Sequence, residues 1–140
     1  MNMNKLRESD NLTLYSEFKF YSAHRLFNKK LSYKDNRKLF GECSNFYGHG
    51  HAYYLIVGIK GQPCFKSGMI MNFKDLKQIV NKQIIKVFDH HFINKDTPNV
   101  GISTAENLVR WIWNKLKRKL PSLCYLRLYE TDNNSIEKKE

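Results

Sequence analysis

The sequence predicts an α+β fold, and three observations predict it. Two stretches of alternating apolar and polar residues come first, at 12–26 and 49–60. Two stretches with helical spacing follow, at 73–88 and 103–120, and a third alternating stretch closes the series at 125–130. No internal repeat interrupts this order. An antiparallel four-stranded sheet with two helices on one face satisfies it.

The first strand places Leu14, Phe18, Phe20, His24 and Leu26 on one face, with Thr13, Tyr15, Glu17, Lys19 and Tyr21 on the other. That alternation marks a half-buried strand. Residues 28–41 are rich in Lys and read as a long connection with one helical turn. In the second strand His49, His51, Tyr53, Leu55, Val57 and Ile59 share a face, and the turn residues Gly61-Gln62-Pro63 and Lys66-Ser67-Gly68 follow. Asn72 is the expected N-cap of the first helix, with Asp75 at its third position and Phe73, Leu76, Val80, Ile84 and Val87 on its apolar side. Ser103-x-x-Glu106 has the form of a capping box for the second helix. Its apolar face runs through Ala105, Leu108, Val109, Ile112, Trp113, Leu116 and Leu120, and Pro121 ends it. In the last strand Leu126, Leu128 and Glu130 share a face before the Asp132-Asn133-Asn134 turn. Ser135 to Glu140 is short and polar, which leaves a further strand there open.

Composition narrows the class of protein. At 140 residues and 16.7 kDa the chain is expected to form one domain, 1–140, with 1–11 as a polar tail. Hydrophobic residues make up 41%, enough for a core and too many for a disordered chain. No apolar run has the length of a membrane span, and no hydrophobic stretch follows Met1-Asn2-Met3-Asn4-Lys5, so neither a membrane anchor nor a secretory leader is expected. Three widely spaced cysteines fit a reducing, cytoplasmic setting. The net charge of +11 suits nucleic acid or a small polyanion. It equally fits compositional drift, because Lys and Asn are abundant throughout.

The histidines carry the chemistry. His49 and His51, two apart in a strand, project from the same side of the sheet, and His24 lies on the inward face of the preceding strand. Antiparallel pairing would bring the three imidazoles together. Three neutral imidazoles suit Zn2+ and leave a fourth position open, as in a catalytic site. Cys43, just ahead of His49, is open to three readings: base or nucleophile, fourth ligand, or buried thiol. Asp89-His90 closes the first helix, either as an oriented proton shuttle or as a solvated helix end. Glu130 ends a strand, exposed at its edge or holding a ligand rich in N–H donors. Glu106 is expected to cap its helix. Cys64 and Cys124 read as incidental, and His91 has no role that its position argues.

Six ordered stretches also resemble one family. They are Ser22 through Leu26 (SAHRL), Leu39 through Tyr53 (LFGECSNFYGHGHAY), Gly68 through Phe73 (GMIMNF), Phe88 through His91 (FDHH), Ser103 through Asn107 (STAEN) and Tyr129 through Asn134 (YETDNN). Together they resemble the 6-pyruvoyl-tetrahydropterin synthase family, which includes the 6-carboxytetrahydropterin synthases of the queuosine pathway. The resemblance implies the tunnelling fold, ββααββ, in which three subunits join their sheets into a barrel and two trimers stack into a hexamer with active sites between subunits. It implies zinc on His24, His49 and His51, proton transfer by Cys43, Asp89 and His90, and a pterin gripped by Glu130 with Thr104 and Glu106 near it. The implied reaction converts 7,8-dihydroneopterin triphosphate to 6-pyruvoyl-tetrahydropterin with loss of triphosphate, the basic surface drawing in the polyanion.

Five residues separate Cys43 from His49, as in the pyruvoyl-forming branch. The alternative is the carboxy-forming reaction, which releases acetaldehyde, and Glu42 beside Cys43 leaves room for side-chain cleavage. Ala105 stands where close relatives carry Thr. A basic nucleic-acid-binding module explains the charge but gives no reason for His24, His49 and His51. A catalytically dead relative that binds a pterin is a third reading.

Overall fold

The computed structural model describes residues 11–140. Most of the expected tail therefore lies outside the described residues. Strand β1 (Leu12–His24) pairs antiparallel with β2 (His49–Gly61) along its whole length, from Leu12 opposite Gly61 to His24 opposite His49. Between them lie α1 (Tyr33–Phe40), capped by the Ser32 hydroxyl, and a 3-10 turn (Gly41–Ser44). The connection is thus more helical than the single turn expected from its Lys-rich sequence.

The first long helix begins as α2 (Phe73–Val80), runs through a π-helical stretch (Asn81–Ile85) and ends as α3 (Lys86–Phe88). Asn72 caps it as expected, accepting from the Lys74 N–H at 2.8 Å. Leu76, Val80, Ile84 and Phe88 are all fully buried. Residues four apart drift by about 40° per step around a regular α-helix. The wider π turn takes up that drift and keeps one row on the sheet. Phe73 falls off the row and is exposed, against expectation.

Two short elements were not legible in the pattern: β3 (His91–Phe92) and α4 (Ile93–Asp96), followed by a 3-10 turn at Pro98–Val100. The helix α5 (Ala105–Lys117) buries Leu108, Val109, Ile112, Trp113 and Leu116. Then come β4 (Leu123–Tyr129) and β5 (Ser135–Lys139).

Among the described residues the sheet has five strands in the order β3-β1-β2-β4-β5. This corrects the four-stranded antiparallel expectation. β3 adds a parallel edge of two residues, opposite Ser22 and Ala23, because α3 ends beside β1 and the chain runs on along it. The short polar end does form a strand, pairing antiparallel with β4. Both long helices cover the face carrying Phe18, Phe20, Tyr53, Leu55, Val57, Leu126 and Leu128, so the core lies between sheet and helices. The opposite face stays open and carries Tyr15, Tyr21, Tyr54 and Tyr129. No helix among the described residues is long and apolar enough to cross a membrane.

Candidate active site

The β1–β2 ladder ends where His24 faces His49, and His51 lies two residue pairs inward, opposite Ser22. All three side chains sit on the core-facing side, at the sheet end that the helices leave partly open. Their ligand nitrogens lie within 4.8 Å of one another. The rings meet edge to face, with centroids 4.6 Å apart for His24–His49, 5.2 Å for His24–His51 and 4.9 Å for His49–His51.

His24 is fully buried, and its Nδ1 lies 2.8 Å from the Ser103 carbonyl. A carbonyl only accepts, so Nδ1 carries the proton and Nε2 turns its lone pair into the cluster. A backbone acceptor of this kind orients metal-binding imidazoles. Burial first, then the charges of His49 and His51, lower the His24 pKa to about 4 despite the opposing Ser103 contact. The ring therefore stays neutral. His51 is also lowered, mainly by burial, with Glu130 opposing. Its Nε2 is buried without a hydrogen-bond partner among the described residues, 3.6 Å from Glu130 Oε1. His24 Nε2 and His49 Nε2 are 3.0 Å apart. Three imidazoles with converging nitrogens, one of them orphaned among the described residues, form a donor set that fits a tetrahedral cation with one position left open.

Glu130 stands just past β4, held by a turn in which its N–H donates to the Asn134 carbonyl at 3.0 Å. A cavity of about 330 Å3 opens beside it, lined by Thr104, Ala105, Glu106, Glu130 and Asn134 among others. The capping-box expectation fails here. Thr104, not Ser103, is the N-cap, its hydroxyl accepting from Asn107 N–H at 3.3 Å. The Ser103 carbonyl is engaged by His24, which moves the cap one residue on and leaves Glu106 lining the cavity.

Cys43 lies in the 3-10 turn and is partly exposed. It does not join the three-histidine cluster. Its carbonyl accepts from Leu26 N–H at 2.8 Å, and Arg25 Nε donates to the Ser44 carbonyl at 2.7 Å. These bonds clamp the cysteine turn to the chain immediately after His24.

Asp89 and His90 lie elsewhere. Asp89 Oδ1 accepts from Tyr21 N–H at 2.8 Å, which is the main reason its carboxyl is held below its ordinary value. Asp89 Oδ2 is 3.0 Å from His90 Nδ1, and His90 N–H donates to the Tyr21 carbonyl at 2.6 Å. The pair exists, but His90 is 80% exposed and its ring lies 6.3 Å from that of Tyr21, whose side chain is on the open face. Within one chain this pair and the histidine cluster are on opposite sides of the sheet. The described cysteines are all free, and Cys64 is exposed in its turn as expected.

Two residues of the site escaped the sequence reading. Ser103 acts through a backbone carbonyl, for which no side-chain pattern exists. Tyr53 was visible on the histidine face, but not that its buried hydroxyl lacks a partner.

Comparison with known proteins shows what the chain and its fold are similar to. The model of the family described as 6-pyruvoyl tetrahydropterin synthase matches residues 13–140. The 6-pyruvoyl tetrahydrobiopterin synthase of Homo sapiens is 40% identical over 121 residues, covering 84% of this chain and 83% of that protein. The Dictyostelium discoideum protein of the same name is 38% identical over 120 residues, covering 84% and 87%. The solved structure of Caenorhabditis elegans 6-pyruvoyl tetrahydropterin synthase superposes with a TM-score of 0.87 at 31% identity, covering 93% of this chain and 96% of that one.

Proposed function

The chain belongs to the 6-pyruvoyl tetrahydropterin synthase family, and we propose that it converts 7,8-dihydroneopterin triphosphate to 6-pyruvoyl-tetrahydropterin with release of triphosphate. The observation that carries this reading is the convergence of His24, His49 and His51 beside the Glu130 carboxylate. His24, His49 and His51 would hold zinc, which when bound supplies a Lewis acid for oxygens of the substrate side chain.

The chain's own residues do the rest. Glu130 accepts two N–H donors from the pterin edge in a fork, which fixes the ring. Thr104 and Glu106, lining the same cavity, flank that ring. Cys43, as thiolate, takes a proton from the side-chain carbon. His90, held by Asp89, returns one. Loss of triphosphate drives the change, and the +11 surface attracts the polyanion.

Because His90 and the histidine cluster face opposite sides of the sheet, we read the working site as built from more than one subunit. Three sheets joined through their free edges into a barrel, stacked as a hexamer, would supply His90 from a neighbour. A cytoplasmic setting fits the free thiols.

A product assay tests the proposal. Zinc-loaded protein given 7,8-dihydroneopterin triphosphate should release triphosphate and leave a pterin that keeps its three-carbon side chain, read by mass. Acetaldehyde with a carboxylated pterin would overturn the pyruvoyl assignment while keeping the site.

A further inference from the structure

Tyr53 is fully buried on the core-facing side of β2, and its hydroxyl has no hydrogen-bond partner among the described residues. Such a group costs stability, and Phe would fill the same space without that cost. The ring itself is fixed: it stacks on Phe20, its pairing partner on β1, with centroids 5.0 Å apart. The hydroxyl is therefore the feature that packing does not explain.

What stands next to it does. The β2–β4 ladder pairs Tyr54 with Tyr129, so one step further sets Tyr53 opposite Glu130 on the same face. A phenol O–H donates and a carboxylate accepts, so the two groups are complementary. His51 Nε2 lies 3.6 Å from Glu130 Oε1, too far for a hydrogen bond. Glu130 thus lies in register with Tyr53 and 3.6 Å from His51, and neither buried group is hydrogen-bonded to it.

We propose that Tyr53 is a positioning residue for Glu130: its O–H donates to the carboxylate once Glu130 turns from His51, and so sets the plane in which Glu130 accepts a ring rich in N–H donors. This rests on the reading of Glu130 as the ligand-holding carboxylate. Tyr53 touches neither reacting atoms nor the proton-transfer set, so its contribution belongs to binding and not to the chemical step. A hydrogen bond to a charged acceptor is worth roughly a tenfold change in affinity or more.

Tyr53→Phe removes the hydroxyl alone. Binding of neopterin, followed by its fluorescence, should weaken about tenfold in the variant. In turnover, KM should rise by a similar factor while kcat stays within about twofold. The variant should keep its zinc and melt at the same temperature or higher, since an unpaired buried group is gone. Unchanged neopterin affinity would overturn the proposal, as would a fall in kcat at constant KM. Failure of the wild-type protein to bind neopterin would instead strike the pterin reading itself, and the role of Tyr53 with it.

Discussion

His24 illustrates how burial prepares a ligand. Removing the ring from water favours its neutral form, and the Ser103 carbonyl then decides which nitrogen keeps the proton. The lone pair is left facing His49 and His51, ready for a cation. Zinc should therefore bind at about one ion per chain and raise the melting temperature by several degrees, by binding only the folded state. Elemental analysis and melts with and without chelator would check this. His49→Ala should lose most of the metal and the zinc-dependent shift. Cys43 lies outside the ligand cluster, so Cys43→Ala should keep zinc and stability but lose turnover. Loss of metal from that variant would make the thiol a ligand after all. Tyr53, whose hydroxyl is unpaired among the described residues, shows the opposite balance, a cost of about 1–3 kcal/mol retained beside the histidine cluster.

At the scale of elements, Gly48 governs the join between the cysteine turn and β2. Its φ is +72°, and a Cβ there would lie 2.7 Å from the His24 carbonyl oxygen and 2.8 Å from Phe92 Cε2. Only a residue without a side chain lets the chain enter β2 so close to the end of β1. Gly48→Ala combines left-handed strain with a backbone clash, and should cost about 2–4 kcal/mol. Because the displaced atom belongs to His24, the same variant should lose zinc affinity. Denaturant midpoints and zinc titration measure the two effects separately. The first long helix carries a second device of this kind: its π-helical turn keeps Leu76, Val80, Ile84 and Phe88 in one row over the sheet.

The whole molecule presents two different faces. One is sealed by helices and holds the histidine cluster at its end. The other is open, with a concavity of about 790 Å3 lined by Tyr15, Glu17, Tyr125 and Glu137 among others. Among the described residues, the outer side of β1 has no strand beside it beyond the two residues paired with β3, and β5 forms the other edge. Unpaired edges invite association. If neighbouring chains complete each site, mixing inactive His49→Ala with inactive His90→Ala protein should restore part of the activity, because some sites then receive both intact halves. Restored turnover after subunit exchange, with sedimentation to follow the assembly, checks this. Mixtures that stay inactive while exchanging freely would argue that one chain supplies the whole site.

Strand and helix periodicity was legible in the sequence because alternation and helical spacing report directly which side chains leave water. That reading located both long strands, both long helices and the Asn72 cap, and it put His24, His49 and His51 on one face. It failed where backbone groups decide. The Ser103 carbonyl took His24 as its partner and moved the cap to Thr104, and a two-residue parallel strand is too short to carry a period. The orphaned hydroxyl of Tyr53 was equally hidden, since a missing partner is a property of packing. The separation of Asp89 and His90 from the histidine cluster came from the sheet: its two faces divide residues that the chain order alone leaves undivided. Side-chain identity determined which chemistry is available, and tertiary structure decided which groups meet, because hydrogen bonding and distance depend on strands brought together from far along the chain.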